Sequence, residues 1–442
     1  MRHDGQGWRY PPILRCIQIA SILASFAFAR GFAALILREP ALPPPALADL
    51  LERLGPTFVK AGQLLSSRPD LVGVERAVAL GRLRSHVRPE PWRHVRTVVE
   101  STLGGPLEDR FREFDRSPLG AGSVSQVHRA VTRSGRPVAV KVLRPHVEKR
   151  LVADVRIARL GCSILARVPK LRLVPWRETI EQFADVLTGQ LDLELEAAVS
   201  ARFRAAFASS DVCIPASVPE LSGSRVHTME LVPEFASAVD SQRRDCEPAA
   251  RVALRTLYKM LFVEGLVHTD LHEGNLILMD DGTIVIVDFG LFTRLDRRTR
   301  SLFRQFFLGM AMGDAAACTR VVVATAAKVP DDLIHADLLD EIRQLILRHP
   351  THSVADFEVA AFVTDLFAVQ VRFGIRSSPD FATAIMSLIS LEGVLKRRAP
   401  ALAFAAESID FLLLHRRPRI PAMAHWPRAC RAGSRPFAVS SR

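Results

Sequence analysis

The residues best suited to chemistry lie in one stretch, His268-Thr269-Asp270-Leu271-His272-Glu273-Gly274-Asn275. Asp288-Phe289-Gly290 follows after a short predicted hairpin. Transfer of a phosphoryl group asks little covalent chemistry of a protein. It needs one carboxylate near an acceptor hydroxyl and oxygen ligands that hold a divalent cation on the phosphates. Asp270 fits the first role, and Asn275 and Asp288 fit the second. Brief strands at Leu276–Met279 and Thr283–Val287, joined at Asp280-Asp281-Gly282, would bring both ligands to neighbouring loop ends. A surface hairpin merely rich in Asp and Gly accounts for either motif alone, not for both in this order. His268 and His272 stand four apart, as in a zinc-binding helix, but Gly265 and Gly274 flank them and the segment reads as a loop.

Upstream, Val138-Ala139-Val140-Lys141 reads as a strand ending in Lys. Only seven of the 59 cationic residues are Lys, so Arg is the default cation and this Lys is informative. An ammonium there grips α- and β-phosphates when a helical carboxylate steadies it. Glu196 is the first candidate for that carboxylate and Asp192 the second, both on a predicted helix over 176–208. Before the strand, Gly120-Ala121-Gly122-Ser123-Val124-Ser125 offers small residues whose backbone N–H groups can approach phosphates. Loop, Lys, HxDxxxxN and DFG follow in the order of the protein kinases. No Ala-Pro-Glu follows Gly290, and a helix is expected by Thr299. The peptide-binding segment of protein kinases is therefore missing, which argues against a protein substrate.

The elements that must position these residues form a two-lobed α+β pattern. Pro40 and Pro43-Pro44-Pro45 make a stiff linker, and helical periodicity runs over 46–103 with a break near Pro89 and Pro91. Strands are predicted at Val127–Val131 and Pro137–Val142, joined by Ser134-Gly135-Arg136, and again at Arg225–Met229. Helices are predicted over 147–168, 176–208, 248–264 and from Thr299 onward. The expected divisions are an N-terminal segment (1–45), a helical extension (46–105), an N-lobe with inserted helices (106–232), a helical C-lobe (233–410) and a basic tail (411–442).

At 442 residues, 48% of them hydrophobic and 24% charged, the chain is globular and too long for one small core. Six scattered cysteines with no CxxC pair argue against a zinc ribbon or a disulfide framework and fit a reducing compartment. The apolar run Cys16–Ala29 is shorter than the ~17–25 residues that span a bilayer. It can be read as a signal peptide, as an interfacial helix or as a helix packed on the body. The net charge is +12, and the tail after Asp410 holds seven Arg and no acid. Cations clustered at both ends point to a peripheral site on an anionic membrane. The alternative is a solvated tail. Only Trp426 and Phe437 interleave the tail arginines, so nucleic-acid binding has little aromatic surface for stacking.

On these motifs the chain resembles the UbiB family of atypical kinases, also called aarF-domain kinases, over roughly residues 46–400. The segment Gly55-Pro56-Thr57-Phe58-Val59-Lys60-Ala61-Gly62-Gln63 resembles the family's KxGQ helix. The resemblance implies an extension folded over the active site, with Lys60 as a catalytic residue and Gln63 near the nucleotide phosphates. Lys141-Val142-Leu143-Arg144-Pro145 and Glu392-Gly393-Val394 also fit, as do Met229 and Glu230 as a hinge near adenine. The resemblance further implies ATP and Mg2+ as cofactors and quinone-pathway lipids or proteins as partners. It places the chain at the cytoplasmic face of the inner membrane, supporting ubiquinone (isoprenoid quinone) biosynthesis. Three positions depart from the family. Gly120 and Gly122 stand in its alanine-rich loop, its ExD reads Gln190-Leu191-Asp192, and Val199 replaces its usual Asn. The family's paired C-terminal membrane helices are not evident. Two alternatives remain: a small-molecule phosphotransferase of the aminoglycoside-kinase type, and a non-catalytic, nucleotide-gated lipid-binding module, which Gln190 favours.

Overall fold

The computed structural model describes residues 12–36, 44–66, 74–81, 83, 89–165, 176–232, 246–349 and 358–400, with single positions as far as Leu412. The described residues of the extension include the helices α1 (Pro12–Ile36), α2 (Pro44–Leu54), α3 (Pro56–Ser66) and α4 (Val74–Leu80). Helical spacing sets Arg15, Ile19, Ile22 and Phe26 on the inward stripe of α1, while Ile17, Leu23 and Phe28 face solvent. Ile19 joins Leu51, Leu54, Val59, Leu80 and Leu83 in a small core. Gly55, at φ 101°, makes the corner between α2 and α3, and Pro56 opens the next helix.

The N-lobe starts at α5 (Trp92–Leu103), which packs under the sheet and not with the extension. Four antiparallel strands follow in the order β1 (Phe111–Ala121), β2 (Ser125–Thr132), β3 (Pro137–Leu143) and β5 (Val226–Glu230). Val95, Val98 and Val99 of α5 meet Val138, Val140 and Val226 of the sheet. Val138, Val140 and Val142 of β3 face α5, while Lys141 on the opposite face meets Glu196 of α8, so the strand is buried along nearly its whole length.

Helices α6 (Val147–Leu165), α7 (Trp176–Gly189) and α8 (Leu193–Phe207) are inserted between β3 and β5. The single helix expected over 176–208 is thus two. Gln190 to Asp192 break it, and the Asp192 carboxylate caps α8 by accepting the Leu195 N–H at 3.0 Å. Asp192 is therefore a helix cap and not a partner of Lys141.

The short strand β4 (Val212–Cys213) belongs to the C-lobe, whose main chain begins with α9 (Glu247–Lys259). Four three-residue strands follow: β6 (Leu266–His268), β7 (Leu276–Leu278), β8 (Ile284–Ile286) and β9 (Phe292–Arg294). β4, β8 and β7 form one sheet, and β6 pairs with β9. Helices α10 (Arg297–Met312), α11 (Ala315–Ala324), α12 (His335–Arg348), α13 (Val359–Arg372) and α14 (Pro379–Arg398) build the main core. The buried Glu392 of α14 caps α13, accepting the Val359 and Ala360 N–H groups at 2.8 Å each.

No helix among the described residues is long and apolar enough to cross a membrane. The basic tail lies outside the described residues beyond Leu412. Arg15, one of the N-terminal cations, does not lie on the surface. It is buried and grips Asp154 of α6 with Nε–Oδ1 at 2.7 Å and Nη2–Oδ2 at 3.2 Å, and it also donates to the Leu54 carbonyl at 2.7 Å. This pair ties α1 to the inserted helices. Removing one member of a buried pair leaves the other charge uncompensated, at a cost of about 3–5 kcal/mol. Arg15→Met should therefore free α1, seen as rapid amide exchange over 12–36, and Arg15→Met/Asp154→Leu should restore protection. Unchanged exchange in the single variant would show that the pair does not hold the extension.

Candidate active site

The site forms where α8, β3 and the loop after β8 converge. The Lys141 ammonium, on the buried strand β3, donates to Glu196 of α8 at 2.7 and 2.8 Å and to Asp288 Oδ1 at 2.9 Å. Burial alone would lower the Lys141 pKa, but Asp288 and Glu196 outweigh it and hold it above its ordinary value. Burial would likewise raise Asp288, but Lys141 and then Lys60 hold its carboxyl below the usual carboxylate range. Asp288 keeps 48% of its side chain open at the mouth of the cleft, so solvent screens part of this effect. Two carboxylates share the Lys141 ammonium, and Lys60 balances the second of them from the extension.

Asp288 sits at φ 58°, a left-handed backbone that costs on the order of 1 kcal/mol for a residue with a Cβ. Its neighbours hold it there. The Val287 N–H donates to the Asn275 carbonyl at 2.9 Å, which ties the two ligand-bearing loops together. Phe289 is buried against Phe203 of α8, with centroids 4.7 Å apart, and against His268 at 5.3 Å. An aromatic contact thus links the helix carrying Glu196 to the loop carrying Asp288. Only the tertiary fold brings Phe203 here, and its helical spacing alone reads as ordinary core.

The Asn275 amide donates to the Asp270 carbonyl at 3.0 Å, and α14 braces the same loop. Ser390 donates to the Leu271 carbonyl at 3.1 Å, and Arg397 pairs with Glu273 at 3.0 Å. The Asn275 side-chain oxygen and Asp288 Oδ2 make no hydrogen bond among the described residues, and both suit a hard divalent cation. No group of three or more His, Cys, Asp or Glu able to hold a metal is found among the described residues. His268 has both ring nitrogens engaged, Nδ1 by the Asp270 N–H and Nε2 by the Val287 carbonyl, so it offers no free lone pair for the zinc reading of His268 and His272.

The other predicted residues divide. Lys60 on α3 lies close enough to act on Asp288. Gln63, one turn on, donates its amide to the Leu83 carbonyl at 2.9 Å within the extension. Gly62 is fixed by packing, since a Cβ there would stand 2.4 Å from Leu83 and 2.7 Å from Leu51. Gly120 and Ala121 end β1, paired with Val127 and Gln126, and Gly122 and Ser123 enter the β1–β2 turn, closed by the Gly122 N–H donating to the Ser125 carbonyl at 2.8 Å. Met229 and Glu230 end β5. The Glu230 N–H donates to the Ala216 carbonyl at 2.9 Å, and its carboxylate pairs with Arg136, so the Glu230 side chain is engaged within the N-lobe. His227 escaped the sequence reading. It is buried across the sheet from Lys141, its Nε2 is 2.9 Å from the Ser217 hydroxyl, and its Nδ1 is 3.9 Å from Glu196.

His268 is buried, and burial lowers its imidazole pKa. Its Nδ1 accepts the Asp270 N–H at 3.1 Å, which leaves Nε2–H facing the Val287 carbonyl at 3.2 Å. The ring is therefore a neutral strut for the catalytic loop. With the folded pKa below the unfolded value near 6.5, its stabilisation is fully present above about pH 6.5 and is lost as pH falls. His268→Asn keeps an acceptor for Asp270 and removes the titration. Unfolding measured at pH 7 and pH 5.5 without ligands should show a smaller loss in this variant, by up to about 1.4 kcal/mol per pH unit. Equal losses in the two proteins would mean that His268 does not titrate on unfolding.

The ABC1 atypical kinase-like domain matches residues 82–322, a span that holds the glycine loop, Lys141, Glu196, the catalytic loop and Asp288. An uncharacterized Synechocystis protein, slr0889, is 30% identical over 66% of this chain and 75% of its own length. A Xylella fastidiosa protein named probable protein kinase UbiB is 27% identical over 80% of this chain. The chain spans 66% of that relative's length. Among solved structures, the Rv3197–erythromycin complex from Mycobacterium tuberculosis superposes with a TM-score of 0.56 at 22% identity, covering 79% of this chain and 90% of the other, which shows a shared kinase-like fold. With the Lys–Glu–Asp constellation on this fold and more than half its length matched, the chain belongs to the ABC1 atypical kinase-like family.

Proposed function

We propose that the protein binds ATP with Mg2+ and acts as an atypical kinase or ATPase at a membrane surface, in support of isoprenoid quinone synthesis. The observation that carries the nucleotide reading is Lys141 held between Glu196 and Asp288 at 2.7–2.9 Å. In this reading Glu196 would orient Lys141 toward the α- and β-phosphates, and Lys60 would add a second cation near Asp288. Asn275 and Asp288 would hold a magnesium ion, which would supply charge neutralisation on the phosphates. Asp270 accepts the proton of the attacking hydroxyl or water. A small, non-protein acceptor is supported by α10, which starts at Arg297 directly after β9 and leaves no peptide-binding segment. The quinone role rests on the resemblance to the UbiB family.

The membrane reading rests on α1 more than on its charge. Arg15 is spent on Asp154, but Ile17, Leu23 and Phe28 stand 44–80% exposed along one helix. Of these, Ile17 and Phe28 share one stripe with the exposed Ala24, a face that can lie in a lipid interface, and the tail arginines add an electrostatic part outside the described residues.

Two measurements test these readings. Asp288→Asn should abolish the rise in melting temperature given by Mg-ATP, because the main metal ligand loses its charge. A full rise in the variant would remove Asp288 from the site. Wild-type protein should sediment with vesicles containing anionic lipid, and Phe28→Glu should reduce that binding several-fold. Equal binding by wild type and variant would shift the attachment away from α1.

A further inference from the structure

We infer that Arg144 is a positioning residue that sets the phosphate-binding geometry of the glycine loop, acting through the loop backbone; this rests on the nucleotide reading above. Arg144 follows β3 directly and is buried. Its guanidinium Nε donates to the Gly122 carbonyl at 2.9 Å, and its own backbone N–H donates to the Val124 carbonyl at 2.9 Å. Two carbonyls of the loop tip are therefore turned toward Arg144 and away from any ligand. The N–H groups of Ser123 and Val124 make no hydrogen bond among the described residues, although Ser123 is only 5% exposed. Buried backbone N–H groups are nearly always paired. Successive free N–H groups, with their carbonyls withdrawn, make an anion-binding concavity. The anion that fits this loop, above Lys141, is the phosphate chain of a nucleotide.

Arg144 is itself held in place. Its Nη1 pairs with Glu90 at 3.0 Å, and the Glu90 N–H donates to Gln126 Oε1 at 2.8 Å. The Gln126 amide donates to His128 Nε2 at 2.7 Å, and His128 Nδ1–H donates to the Asp115 carbonyl at 2.7 Å. This chain runs from the residues that open α5 through β2 to β1, and it fixes the guanidinium against both strands that carry the loop. Burial lowers the His128 pKa, which keeps the ring in the neutral form that the chain needs.

Calorimetric titration of ATP, ADP and adenosine, with magnesium present, separates loop geometry from general damage. Arg144→Met should weaken ATP and ADP by about tenfold, the scale of one lost hydrogen bond from a charged group, and leave adenosine within twofold. Glu90→Gln should give a smaller loss with the same dependence on phosphate, and Arg144→Lys should fall between Arg144→Met and wild type. Unchanged ATP affinity in Arg144→Met, or equal weakening of adenosine, would overturn the assignment. If Arg144→Met does not fold, Glu90→Gln decides, and wild-type ATP affinity in that variant overturns it. A wild type that binds none of the three ligands would instead overturn the nucleotide reading.

Discussion

The structure depends on one buried ammonium shared by two carboxylates. Lys141 and Glu196 are 8% and 5% exposed and belong to different elements, a strand and an inserted helix. Charges withdrawn from water this far are stable only when paired. The pair therefore fixes where α8 lies against the sheet. Asp288, the third member, comes from the C-lobe, so the same contact sets the two lobes relative to each other. Phe289 against Phe203 repeats the link in apolar form. A cleft built this way has its cation and its anions in place before any ligand arrives.

The extension is attached by similar means. Its own core is small, and α1 presents apolar side chains to solvent on its outer face. The Arg15–Asp154 pair docks it on the inserted helices, so those helices serve the site on one side and the extension on the other. Lys60 reaches the neighbourhood of Asp288 because α3 packs closely on α2 and α4 at Gly62. The KxGQ segment thus combines two physical roles. Gly62 and Gln63 serve the packing of the extension, and Lys60 serves the electrostatics of the cleft.

The chemistry of the site was legible because it depends on residue type at fixed spacing. Asp270, Asn275 and Asp288 announce themselves by HxDxxxxN and DFG, and Lys141 by its rarity in a chain that otherwise uses Arg. Glu196 was reachable because a Lys on a strand needs a helical acid. The break at Gln190–Asp192 was less legible, since a cap and an interior acid look alike in sequence. The roles of Glu230 and Gln63 were not legible at all. Each makes its bond to a backbone or side-chain group far along the chain or beyond a turn, and periodicity carries no record of that partner.

The sequence by itself determined the lobes, the order of the motifs and the charged groups available to a phosphoryl-transfer site. These follow from local preference and from the side-chain chemistry that the reaction needs. The tertiary structure decided which of those charges meet. It buried Arg15 against Asp154 in place of leaving it on the surface, turned the glycine-loop carbonyls toward Arg144, and set His227 behind Glu196. Such pairings join residues up to 139 positions apart. They are chosen by which desolvated groups can satisfy one another once the helices and the sheet have packed, and that selection exists only in three dimensions.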